Sequence, residues 1–111
     1  GTNMDTPTLA DVNIRGVAQR LIEKRLRRNS ENLKQLQIEL TLLDEQLAAL
    51  SDDANDKEMR SLVSETPLAL HEFRDAQKHV DALQDQRNFL VRAIDEQKQS
   101  QDDLLDKLGS N

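Results

Sequence analysis

Apolar residues recur along the chain at alternating spacings of four and three. The first series is Ile22, Leu26, Leu33, Leu36, Leu40, Leu43, Leu47 and Leu50, with Asn29 at the one position where a polar residue stands in the pattern. This is the a/d pattern of a coiled coil, a narrow apolar stripe that another helix must cover. A second series begins after Pro67: Ala69, Phe73, Ala76, Val80, Leu83, Arg87, Leu90, Ile94, Gln97, Gln101, Leu104 and Leu108.

Capping and breaking residues set the expected ends. Thr6 before Pro7, or Thr8 with Asp11 three residues on, can start the first helix. The polar run Ser51-Asp52-Asp53-Ala54-Asn55-Asp56 reads as a turn that also caps the next helix. Thr66-Pro67 reads as the N-cap and first residue of a further helix, because proline disfavours helical backbone in the residue before it. Gly109 reads as the stop. The spacing therefore predicts helices over about 7–51, 56–64 and 67–108, the middle one short and carrying Met59, Leu62 and Val63. Residues 1–5 read as a tag remnant and flexible N-terminus, 6–108 as one helical-hairpin domain, and 109–111 as a flexible C-terminus.

Two long helices of similar length, roughly 60–65 Å each, joined by a short connector predict an all-α antiparallel two-helix coiled-coil hairpin. With the turn in that connector, facing residue numbers sum to about 119. Leu43 then lies by Ala76, Leu36 by Leu83, Leu26 by Ile94, and Asn29 near Arg87. These two polar core residues, Asn29 and Arg87, are expected to fix register at some cost in stability. Gly16 and irregular apolar spacing weaken residues 4–20.

Other apolar residues fall off the seam. Ile38, Leu42, Phe89 and Val91 form the candidate interaction surface, with Ala49 beside them and Ile14, Val17 and Leu21 widening the stripe near the N-terminus. A lone two-helix hairpin leaves such residues in water. The expectation is pairing into a four-helix dimer, or capture of an unidentified protein's helix on the same surface.

Composition narrows the chemistry. The chain has 111 residues and a mass of 12.7 kDa, with 32% charged residues, three Gly, two Pro, two Phe and no Cys. Few turn-formers argue against a many-stranded sheet, and without cysteine there is no disulfide, thiolate metal site or cysteine nucleophile. The net charge of −6 argues against nucleic acid as a partner. The basic cluster Arg20, Lys24, Arg25, Arg27 and Arg28 lies, in the expected register, beside Arg92, Asp95, Glu96, Asp102 and Asp103, so cross-helix pairing is its expected role. The longest uninterrupted apolar run is Leu47-Ala48-Ala49-Leu50. It is far below the roughly 18 residues of a membrane span, so neither a membrane partner nor a secretory leader is expected, and the expected location is cytoplasmic.

His71, Asp75 and His79 share one helix face at a spacing of four, but nothing completes a metal site, so no metal is expected. Neither a glycine-rich phosphate loop nor a pocket that would perturb carboxylates is evident; no catalytic residue, no cofactor and no enzyme activity are expected. Asp52, Asp53, Asp56 and Glu58 would sit at the hairpin tip. In that arrangement the chain resembles the acidic-tipped coiled-coil factors that enter the RNA polymerase secondary channel. That resemblance implies an alternative role, regulation of a large machine through the tip. The stretches Arg60-Ser61-Leu62-Val63-Ser64-Glu65-Thr66-Pro67-Leu68-Ala69 and Asp102-Asp103-Leu104-Leu105-Asp106-Lys107-Leu108 look like short coiled-coil hairpin proteins of actinobacteria. This resemblance implies a bacterial cytoplasmic origin and no particular activity. The expected function is a non-enzymatic coiled-coil interaction module, a scaffold or adaptor working through its helical faces.

Overall fold

The computed structural model describes residues 8–110, which form two helices with no strand among them: α1 (Leu9–Ser64) and α2 (Pro67–Gly109). The expectations for residues 1–7 and for Asn111 lie outside the described residues. α1 opens on Thr8 and Asp11, which bond each other reciprocally: each backbone N–H donates to the other's side-chain oxygen at 3.2 Å. This satisfies two donors that a helix start leaves unpaired. Hydrogen bonding with Thr8 also holds the Asp11 carboxyl below its usual pKa. α2 ends at Gly109, and the Ser110 N–H closes its last turn on the Asp106 carbonyl at 3.0 Å.

The turn differs from the expected one. Residues 51–56 are helical, so the expected helices 7–51 and 56–64 are one helix, and the chain reverses at Glu65 and Thr66. The reason lies in the seam. Continuing the spacing beyond Leu50 reaches Ala54, Lys57 and Ser61; Ala54 is only 2% exposed and the other two are half-buried. Lys57 Nζ, 2.9 Å from Asp53 Oδ2 one turn earlier, adds an ion pair within this segment.

Glu65 adopts the left-handed conformation with φ 51°, and its N–H bonds the Ser61 carbonyl at 3.1 Å. Thr66 then caps α2, its Oγ1 accepting the Ala69 N–H at 3.2 Å. Left-handed backbone costs a residue with a Cβ about 1–2 kcal/mol, and glycine avoids most of that. Glu65→Gly is therefore expected to raise stability by about 0.5–1 kcal/mol in urea denaturation. A loss of stability would show that the turn is not strained there.

The described chain divides into two compact units, and both helices pass through each. One unit is Gln35–Asp95; the other is the rest of the described chain, up to Lys34 and from Glu96. In the first, Arg87 Nε donates to Asp44 Oδ1 at 2.7 Å, so facing residue numbers sum to 131, as a turn at 65–66 requires. The expected neighbours Leu43–Ala76 and Leu36–Leu83 are thus displaced by about three helical turns. The core of this unit includes the buried Leu43, Ala54, Ala76, Leu90 and Ile94, with Leu36, Leu40, Leu47, Phe73, Val80 and Leu83 half-buried.

In the second unit Asn29 is 5% exposed and donates its Nδ2 to the Gln97 backbone carbonyl (2.9 Å) and to Gln97 Oε1 (2.8 Å). Asn29 and Arg87 are both at seam positions but do not meet: Asn29 pairs with Gln97, and Arg87 with Asp44. Each polar core residue finds a partner on the opposite helix, which is how such residues define register. Ile22, Leu26, Leu33, Gln101 and Leu108 are half-buried in this unit, and Leu104 is buried.

Candidate interaction surface

Assigning heptad letters from the buried seam sorts the remaining side chains by flank. Leu26, Leu33, Leu40, Leu47 and Ala54 take a positions on α1, while Ala69, Ala76, Leu83, Leu90 and Leu104 take d positions on α2. In an antiparallel pair the g residues of both helices, backed by c residues, line one flank, and the e residues line the other.

Within Gln35–Asp95 the two flanks are chemically unlike. The e flank holds the Arg87–Asp44 pair, with Gln37, Ser51, Glu58, Leu70, Gln77, Gln84 and Val91. The g/c flank holds a shallow apolar groove lined by Gln46, Ala49, Leu50, His79, Ala82 and Leu83. Leu42, 56% exposed, and Phe89, 63% exposed, stand at the c positions one heptad from Ala49 and Ala82 respectively. Burying a Leu or Phe side chain stabilises by roughly 1.5–3 kcal/mol, so both are strong candidates for contact.

Of the expected surface, Leu42 and Phe89 thus share a flank. Ile38 lies one turn before Leu42, farther round α1 at an f position, and is also exposed. Val91 takes an e position on the opposite flank and is half-buried. Ala82 and the groove it lines were not anticipated. An alanine at a c position, four residues before Gln86 and seven before Phe89, signals it only after the helix pair is in register.

The acidic tip is not assembled. Asp52, Asp53, Asp56 and Glu58 lie within α1 before the turn, and the reversal itself carries a single carboxylate, Glu65. Asp53 is engaged with Lys57. Beside the turn, Met59, Arg60, Val63, Ser64, Ala69 and Glu72 line a second groove.

In the other unit the same g/c flank is polar: Arg25, Arg28, Asn32, Ser100, Asp103 and Lys107 surround the Asn29–Gln97 pair. Asn29 Oδ1 is buried there without a hydrogen-bond partner. Arg25 and Arg28 share that groove with Asp103, yet among the described residues no ion pair within 4.0 Å joins the basic cluster to α2. Nearer the start of α1, Ile14, Val17, Ala18 and Leu21 form an exposed stripe.

His79 Nε2 is 3.6 Å from Asp75 Oδ2, both well exposed, and among the described residues no group of three side chains is placed to hold a metal ion. No helix among the described residues is long and apolar enough to cross a membrane. Comparison with protein-family models, with curated proteins and with solved structures finds no match to this chain.

Proposed function

We propose that this chain is a non-enzymatic helical interaction module, a scaffold or adaptor, that presents the g/c flank of Gln35–Asp95 to another helical surface. The observation that carries this reading is the asymmetry of the two flanks. One carries the Arg87–Asp44 pair across the two helices, while the other leaves Leu42 and Phe89 in water around a floor of Ala49, Leu50, Ala82 and Leu83. The helices form their seam without these residues, so folding alone gives no reason for apolar side chains there. Contiguous apolar groups on a helix flank are what helix-in-groove association uses.

The test separates the flank from the carboxylates on α1. Leu42→Glu combined with Phe89→Glu is expected to abolish protein recovered on the immobilised chain from native extract, with helicity by circular dichroism unchanged. Asp52→Asn combined with Glu58→Gln, both off that flank, is expected to leave recovery as in the original chain. Recovery that survives the flank substitutions, or is lost with the carboxylate ones, contradicts the proposal.

A further inference from the structure

We infer that the occupant of this flank is a second copy of the chain, laid antiparallel across it about a two-fold axis. The inference rests on the interaction reading above and names its partner. Its warrant is a self-complementary relief. Leu42 and Phe89 sum to 131, as do Ala49 and Ala82 and the bonded pair Asp44–Arg87, so each of these pairs is level across the helix pair. A bulky level thus stands one heptad, about 10 Å, from a small one on the same flank. A two-fold axis lying in the interface, crossing the helices midway between these levels, places Leu42 of one copy over Ala49 of the other. It likewise places Phe89 over Ala82. Each copy supplies two knobs and two notches, and every knob meets a notch. An isologous contact requires this kind of match of a patch to itself.

Charge and area agree. Between the two levels the g and c positions carry only Gln46 and Gln86 as polar residues, with no carboxylate or ammonium group, so like charges do not meet at the axis; Glu39 and Asp53 of opposite copies approach each other only farther out. An axis between residues 45 and 46 of α1 sets residues 35–56 of the two copies against each other, about 33 Å of helix, and a helix pair is about 20 Å wide. The face is therefore on the order of 650 Å², at the low end of the roughly 600–1,000 Å² that each partner of a standard interface buries. A parallel arrangement, with the axis along the helices, would instead stack Leu42 on Phe89 and leave Ala49 facing Ala82 across a void.

The chain has no cysteine, which makes the register directly testable. Gln86 lies next to the proposed axis, so Gln86→Cys is expected to form a disulfide with its own kind under mild oxidation; Ser64→Cys, far from the axis, is not. In sedimentation equilibrium the original chain is expected at twice 12.7 kDa. Ala82→Phe, which fills the notch at an exposed position, is expected to weaken association at least about tenfold, equivalent to 1.4 kcal/mol, with helicity unchanged. A dimer indifferent to Ala82→Phe, or one in which Ser64→Cys links as readily as Gln86→Cys, overturns the proposed pairing. So does a monomer at tens of micromolar. If that monomer still recovers another protein in a manner lost with Leu42→Glu and Phe89→Glu, the interaction module survives without its second copy. If it recovers nothing, both readings fail.

Discussion

Replacing Asp52 with proline is expected to lower stability by about 3 kcal/mol or more. Asp52 lies in the interior of α1, exposed, twelve residues before the helix ends at Ser64. Proline there removes the N–H that bonds the Ala48 carbonyl, and its ring clashes with that carbonyl. It also biases Ser51 away from helical backbone. The resulting kink would pull Ala54, only 2% exposed, from its place opposite α2. Had residues 51–56 formed a turn, the same substitution would fall within the roughly 0.5 kcal/mol typical of surface changes. Urea denaturation followed by circular dichroism separates these outcomes by a wide margin. A change below about 1 kcal/mol would contradict the continuous helix.

Asn29→Leu is expected to act in the opposite direction, raising stability by about 1–2 kcal/mol. The amide donates two hydrogen bonds to Gln97 but leaves its own Oδ1 buried and unpartnered. A buried orphan acceptor costs about 1–3 kcal/mol, and leucine at the same position buries apolar area instead. After the change the Gln97 carbonyl keeps its bond within α2, and its half-buried side chain can turn to water. What is lost is the penalty for sliding one helix past the other, the usual role of a lone polar residue in such a seam. The urea midpoint should therefore rise while cooperativity falls. A midpoint that drops would show that the Asn29–Gln97 pair outweighs its orphaned oxygen.

Most of the seam was legible in the sequence. Every member of the α2 series from Ala69 to Leu108 is buried or half-buried, as are the α1 positions from Ile22 to Leu47. Leucine and isoleucine at a and d positions carry this signal, because only a partner helix can cover them. The failure between residues 51 and 56 has an identifiable cause. Asp52, Asp53, Asn55 and Asp56 favour caps and turns through local hydrogen bonds, and that preference is easily read. Ala54 extends the 4–3 spacing from Leu50, but alanine is weak evidence for a core position. Lys57 and Ser61, the next two seam positions, give no apolar evidence at all. Packing against α2 outweighed the local preferences, and the turn moved to Glu65. The misplaced turn carried two further errors with it, the pairing of Asn29 with Arg87 and the acidic tip.

The flank was half legible for a related reason. Leu42 and Phe89 stand out as apolar residues off the seam, whatever the register. Val91 stands out equally by that criterion, but it follows the d residue Leu90 and so takes an e position on the other side. Ala49 and Ala82 become informative once they are known to be level with each other.

The chain contains two phenylalanines, one half-buried in the seam (Phe73) and one exposed on the proposed contact flank (Phe89). Fluorine-labelled phenylalanine therefore reports each surface with a single resonance. The most direct measurement is the fluorine spectrum as the chain is concentrated, with solvent-isotope shifts to score water contact. The Phe89 signal should move with concentration and lose its isotope shift, while the Phe73 signal stays in place. A Phe89 signal that keeps its full isotope shift at every concentration, or movement at Phe73 instead, would contradict the assignment of this flank as the contact surface.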